Sequence, residues 1–338
     1  MIKTVVIGCG AMGVRHIKAI SDAKECCFCG VSDLREEALC KAQVQGLDST
    51  FCFTDTRKML ETVKPECAVI ATTAPGHAPL ATMALECGVR YLLVEKPFCT
   101  SIAQAVALRK LAEQNEAKIA VNHGMRFDSH YSQVDKLAHS EGLGPIASVL
   151  VSGGNMGVAM NASHQFELFR VLTGHAPKTV TAWFAKSPLS NPRGAEFEDA
   201  AGQLRLENSQ GQRLYIEIGP DQGHGVHMII HCKFGHLVID YLAGIDVLTK
   251  RNPDQLGLPT TRYGLPFMRE TFDLPKADAV ATATKVLSAL VTGSDYPDAE
   301  VGERVVRTLV AAHISNENGH LPVDIDGNLP IDRVFPWA

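Results

Sequence analysis

One stretch near the amino end constrains the fold more than any other. The apolar run Val5-Val6-Ile7 passes into Gly8-x-Gly10-x-x-Gly13, and a helical apolar pattern starts at Met12. Each glycine has its own task. Gly8 permits a tight turn out of a strand, Gly10 lets backbone approach a pyrophosphate, and Gly13 allows a helix to pack closely on that strand. The helix start then turns unpaired N–H donors toward phosphate groups. Asp33 ends the next apolar segment, 20 residues after Gly13, where a carboxylate accepts hydrogen bonds from an adenosine ribose. Strand, turn, helix and acid in register predict a dinucleotide site built from Gly8, Gly10, Ala11, Met12, Gly13 and Asp33. The Asp33 carboxylate repels a 2′-phosphate and so favours NAD. Arg35 can offset that repulsion, which keeps NADP open as the alternative.

Alternation of strand and helix continues to residue 125. Strands are read at 3–8, 26–32, 50–53, 67–72, 90–94 and 119–123, with helices at 12–23, 35–45, 57–63, 79–87 and 103–115. Such alternation makes a parallel sheet. The pattern then changes to strands at 145–153, 179–185, 202–207, 213–218, 226–234 and 237–242. A short helix at 164–172 interrupts them, and helices at 277–290 and 299–316 close the chain. Ser209-Gln210-Gly211-Gln212 reads as a hairpin turn. The expected fold is α/β: a doubly wound Rossmann domain over 1–125, then an α+β domain over 126–338 with a large, open, mostly antiparallel sheet. The C-terminal helices are expected to pack back on the first domain.

Length and charge exclude several classes. A chain of 338 residues exceeds the ~250–300 at which single cores stop growing, so two domains are expected. A net charge of -5 disfavours nucleic acid or an anionic membrane as main partner. No apolar run approaches the ~20 residues of a membrane span. Met1 leads directly into a strand without a secretory leader, so a cytoplasmic location is expected. Cys26, Cys27 and Cys29 share one strand; Cys26 and Cys29 form a C-x-x-C pair that nothing nearby completes as a zinc site. His224, His227, His231 and His236 tempt a metal reading too. Lys233 shares their face and no acidic or thiol ligand does, so no metal is expected.

Glu95-Lys96-Pro97 follows the apolar run 89–94, at the sheet edge where open α/β folds bind their ligands. An ammonium there stabilises alkoxide character as a hydride leaves or arrives at carbon. It can also relay the proton if a nearby nicotinamide charge and burial lower its pKa. A plain surface lysine is the competing reading, and the flanking Glu95 and Pro97 count against it. The Lys96–Pro97 bond is expected to be cis. His164 precedes Glu167 and Arg170 at successive i+3 positions of one helix face, and a histidine serves as a base near neutral pH. An ordinary polar helix face explains that segment equally well.

Taken together, these segments resemble the family named for glucose–fructose oxidoreductase, inositol dehydrogenase and MocA, over nearly the whole chain. Gly8–Gly13, Asp33 and Glu95-Lys96-Pro97 match its cofactor loop, ribose acid and signature tripeptide. Thr72 with His77 resembles its T-P-x-x-x-H loop, with the proline displaced to Pro75. Arg126-Phe127-Asp128 matches the Arg-aromatic segment, and Leu143-Gly144-Pro145-Ile146 the entry into the second domain. His164-x-x-Glu167-x-x-Arg170-x-Leu172-x-Gly174 matches H-x-x-D-x-x-R-x-L-x-G, with glutamate for aspartate. The resemblance implies NAD(P)-dependent oxidation or reduction of a sugar, polyol or sugar derivative. It maps catalysis to Lys96 and His164, and adds Arg35, Thr72, His77, Glu95, Lys96 and Arg126 to the cofactor site. Substrate contacts fall on Lys96, Asn155, Met160, Asn161 and His164. Many members carry an aspartate four residues before the histidine; Met160 stands there, and Asn161 or Asn155 offers a neutral hydrogen bond instead.

Two other readings stay open. One is a catalytically silent NAD-binding sensor; the other is an NAD-dependent glycosidase or eliminase that returns the hydride. A homodimer or homotetramer through the second-domain sheet is also expected, with Met228, Ile229 and Ile230 on its exposed face.

Overall fold

The computed structural model describes residues 1–44, 48–154, 156–186, 191–241, 243–259 and 266–338. Asn155 lies outside them, as do the expected element ends Gln45 and Leu242. The chain divides into two compact units. One comprises Met1–Asp128, Asp278–Arg307 and Pro330–Ala338; the other comprises Ser129–Ala277 and Thr308–Leu329.

The first unit opens with β1 (Ile2–Ile7), α1 (Ala11–Asp22), β2 (Cys26–Ser32), α2 (Glu36–Val44), β3 (Cys52–Phe53) and α3 (Thr56–Val63). It continues with β4 (Cys67–Ile70), α4 (Ala74–Glu86), β5 (Tyr91–Val94), α5 (Ile102–Gln114) and β6 (Lys118–Val121). These strands form one parallel sheet in the order β3-β2-β1-β4-β5-β6. Helices on both faces explain the unbroken apolar strands: Cys67, Ala68, Val69 and Ile70 are all fully inaccessible. Strand order reverses between β1 and β4, which opens the ligand crevice of doubly wound sheets at their carboxyl ends.

Two sequence expectations shift here. The third strand shrinks to two residues because the Asp48 carboxylate accepts from Thr50 N at 2.9 Å, coiling Ser49–Phe51 into a 3-10 turn. The helix expected at 79–87 begins at Ala74. Pro79, read as its first residue, lies inside the helix, and Pro75 sits in the first turn, where its missing N–H costs nothing.

The second unit contains α6 (Ser129–Ala138), β7 (Ile146–Gly154), a π-helical turn (Val158–Ala162) and α7 (Ser163–Thr173). Then come β8 (Pro177–Phe184), β9 (Gly202–Asn208), β10 (Arg213–Gly219), β11 (His227–Cys232), β12 (Gly235–Asp240), β13 (Ile245–Arg251) and β14 (Phe267–Asp273). α8 (Ala279–Thr292) belongs to the first unit, where Val286, Leu287 and Leu290 join a core with Val6, Ile20, Val31 and Val69. α9 (Ala299–Glu317) contributes to both units, and β15 (Val323–Asp324) to the second. The nine strands of the second unit run β14-β13-β12-β11-β7-β10-β9-β8-β15. Among the described residues of this sheet, only β7 and β10 pair in parallel. Sequence reading missed α6, β13 and β14. It also put Met228 and Ile230 on the open face, whereas both are fully buried and only Ile229 alternates outward.

Candidate active site

The glycine loop has the geometry its sequence demands. Gly8 holds φ +97°, and a Cβ there would lie 2.8 Å from the Ala71 carbonyl oxygen, so the turn sits against the end of β4. A Cβ on Gly13 would come within 2.0 Å of the Gly8 carbonyl oxygen. A Cβ on Gly10, by contrast, would meet nothing within 4 Å, which leaves its backbone open to approach. Gly10 caps α1 without a side-chain bond, and no acidic residue stands in the first turn with Ala11 and Met12. An uncapped helix start with an open glycine fits a pyrophosphate.

Asp33 lies just past β2. Its Oδ2 accepts from Cys9 N at 2.8 Å, and Oδ1 accepts from Arg35 N at 2.9 Å and Arg35 Nε at 3.2 Å. Burial alone would raise its pKa; the bonds from Arg35 and Cys9 outweigh that and hold it below the ordinary carboxylate value. Asp33 thus stays anionic beside the loop, which suits a 2′-hydroxyl. Arg35 is 70% exposed and is held at the rim by that carboxylate.

Glu95 is a buried carboxylate held from several sides. It is 6% exposed at the end of β5, and its Oε1 accepts from His16 Nε2 on α1 and from Asn122 Nδ2 past β6, each at 2.8 Å. Burial opposes its charge, but His16, Lys96 and Asn122 together drive the carboxyl far below its ordinary value. The charge is therefore fixed, and it ties three elements to one point. The Lys96–Pro97 bond is cis, as expected. Between Leu92 and Ile102 every residue is buried except Lys96. α5 follows at once, with Ser101 Oγ accepting from Gln104 N at 3.2 Å, a cap that stops the segment from fraying.

His77 is buried within α4, its ring nitrogens 2.9 Å from the Pro97 carbonyl and 3.1 Å from the Thr72 carbonyl. It braces the loops after β4 and β5 through backbone. Arg126 donates from Nη1 to Asp295 at 2.9 Å, its guanidinium 5.1 Å from the Phe127 ring centroid. His16, Asn122 and His123 escaped sequence reading. His123 is 1% exposed, and burial followed by the Lys96 charge pushes its pKa down to about 3.

In the second unit, Met160 and Asn161 belong to the π-helical turn and His164 to the first turn of α7. All three are partly exposed. Arg170 makes the paired contact read from the sequence, donating from Nε and Nη2 to the two Glu167 oxygens at 2.7 Å each. Glu167 is 3% exposed, so this pair anchors the helix rather than decorating its surface. Among the described residues, no group of three or more His, Cys, Asp and Glu could hold a metal ion, and no helix is long and apolar enough to cross a membrane.

Comparison with known proteins follows the same residues. The GFO_IDH_MocA model, "Oxidoreductase family, NAD-binding Rossmann fold", matches residues 2–123. D-apiose dehydrogenase of Paraburkholderia graminis is 27% identical over 142 residues, which is 42% of this chain and 37% of that protein's length. Inositol 2-dehydrogenase 1 of Paenarthrobacter aurescens is 25% identical over 250 residues, 70% of this chain and 69% of the relative. An inositol dehydrogenase homologue of Azotobacter vinelandii, solved with NADH and myo-inositol, shares the fold with a TM-score of 0.73 at 18% identity, covering 96% of this chain and 97% of the other. Residues 2–123 are therefore similar to the NAD-binding Rossmann domain of the Gfo/Idh/MocA oxidoreductases, and 70% of the chain to an inositol 2-dehydrogenase.

Proposed function

We propose that the protein transfers a hydride between NAD and a hydroxyl-bearing carbon of a sugar, polyol or sugar derivative, with Lys96 and His164 as its acid–base pair. The observation that carries this reading is Lys96: it is the one residue left unburied in a segment locked by the Glu95 network. A cation so placed at the sheet edge supports negative charge on a reacting oxygen. A nicotinamide held by the glycine loop and Asp33 would supply the hydride acceptor. His164 takes the hydroxyl proton, a role that suits an imidazole near neutral pH. The relatives named for inositol and apiose support a polyhydroxylated substrate. Turnover is tested by the absorbance of the reduced nicotinamide with myo-inositol, D-apiose and a wider polyol panel. Lys96→Ala is expected to cost several orders of magnitude and His164→Ala about 10²–10⁴-fold, with NAD still bound by both variants. If both variants bound NAD and turned over at the wild-type rate, the assignment would fail.

The open sheet face supports a second copy of the chain as partner. Tyr215, Leu150, Ile229, Val238 and Val247 stand in register across five strands as one apolar stripe. The row on one side carries Glu217, His227, Asp240 and Asp273; the row on the other carries Arg213 and Arg269, with Glu207 at its β9 end and with His231 and His236 between them, both pushed toward the neutral form by burial. A two-fold axis along the stripe lays the row of Glu217, Asp240 and Asp273 over the partner's row of Arg213 and Arg269, whereas an axis along the strands lays each row over its own copy. Ile229→Asp is expected to convert a dimer into monomers by light scattering; a wild-type monomer at working concentration would refute the pairing.

A further inference from the structure

We propose that Asp199 is the positioning residue for His164, acting through the backbone of the turn that leads into α7. This rests on the acid–base reading of His164 given above. Asp199 arrives from the connection between β8 and β9, 40 residues away from the turn that it contacts. Its side chain is buried, 3% exposed. One carboxylate oxygen accepts from Ala159 N at 2.7 Å and the other from Met160 N at 2.8 Å. Val158 N donates to the neighbouring Ala200 carbonyl at 2.9 Å, and Asn161 N to the Gly157 carbonyl at 2.9 Å.

The first four N–H groups of this helical run are therefore all satisfied, although no side chain caps it locally. Helix starts leave those donors orphaned, and a buried start needs partners for them. A doubly accepting carboxylate is the strongest such partner, being both charged and complementary to the positive helix end. Gly157 makes the approach feasible: a Cβ there would stand 1.9 Å from Asp199 Oδ2, inside the carboxylate itself.

The consequence reaches His164 by covalent continuity. The π-helical turn Val158–Ala162 runs without a break into α7 at Ser163, and Ser163 Oγ ties the junction back to the Ala159 carbonyl at 2.7 Å. Release of Ala159 and Met160 lets the five-residue turn relax toward regular α-helix. That change of winding rotates the residues around it, because a π turn spaces its bonds i to i+5. Met160 and Asn161 would shift with the same movement. No side-chain acid is needed at position 160 for this function: the acid comes from a remote segment and accepts from the backbone of the turn.

Two variants test this. Asp199→Asn keeps the shape but can accept only through one atom, and Gly157→Ala keeps the carboxylate while displacing it. In ring-labelled histidine spectra, with the His164 signal identified by its loss in His164→Gln, both variants are expected to move that signal while NAD affinity stays at the wild-type value. With any substrate the wild type turns over, kcat should fall on the order of 10²-fold, the effect of a displacement near 1 Å, with KM for NAD unchanged. The proposal is overturned if the His164 signal stays in place in both variants, or if Asp199→Asn keeps the wild-type kcat on a substrate for which His164→Ala loses it. If His164→Ala itself keeps full turnover, the acid–base reading fails instead, and the ring signal still decides the role of Asp199.

Discussion

Replacing His16 with alanine removes one of two side-chain donors from the buried Glu95 carboxylate, and the cost follows from the surroundings. A carboxylate only accepts, so His16 Nε2 carries the proton in their 2.8 Å bond. What remains is Asn122 at 2.8 Å and a long bond from Lys96 N at 3.3 Å. Breaking a buried pair by removing one partner costs about 3–5 kcal/mol when the stranded charge persists. Protonation offers a cheaper exit. From the ordinary value of 4.5, neutralising the carboxyl at pH 7 costs about 3.4 kcal/mol, at about 1.4 kcal/mol per unit. At pH 5 the same exit costs less than about 1 kcal/mol. Wild-type Glu95 has a depressed pKa, so its contribution is complete above the ordinary carboxylate range and is lost only as pH falls below it. The loss in His16→Ala should therefore be about 3 kcal/mol at pH 7 and shrink toward about 1 kcal/mol at pH 5. Urea unfolding in a Trp183→Phe background reads this cleanly, because the remaining Trp337 is buried in the first unit. A loss below about 1 kcal/mol at pH 7, or one that does not shrink in acid, would refute the fixed-charge account of Glu95.

Asp33→Ser should erase most of the preference for NAD over NADP, shifting the ratio of dissociation constants about tenfold or more; an unchanged ratio removes Asp33 from the ribose site. His123 titrates at about 3 in the folded chain because burial, then Lys96, disfavour its cation. Its neutral ring stabilises the fold fully above the ordinary 6.5, and that stability is lost as pH falls from there toward 3, at up to about 1.4 kcal/mol per unit. His123→Asn should flatten this slope in urea midpoints measured between about pH 4 and 7, and an unaltered slope would show that another group sets it.

What could be read from sequence alone divides along a physical line. The Rossmann unit was legible because its signals are local: Gly8, Gly10 and Gly13 within six residues, and Asp33 at the end of the next strand. Buried parallel strands such as Cys67–Ile70 announce themselves as unbroken apolar runs. In the second unit the strands alternate, and β14 is mostly exposed, so Phe267–Asp273 carries almost no apolar pattern to read. Boundaries failed where a side chain overrode propensity, as Asp48 does at β3. The deeper loss concerns the groups that hold the site in place. Lys96 and His164 stand in recognisable motifs, but what fixes each comes from elsewhere in the chain: His16 lies 79 residues from Glu95, and Asp199 lies 39 residues from Met160. Their bonds leave no periodic trace, since a buried carboxylate looks like any surface acid until the fold brings its donors to it. The missing aspartate at position 160 illustrates the point. Read locally, Met160 weakens the case for catalysis. In three dimensions the same turn has an acid, held at backbone distance by Gly157, and the substitution at 160 becomes a change in where the charge comes from rather than evidence that the site has lost its order.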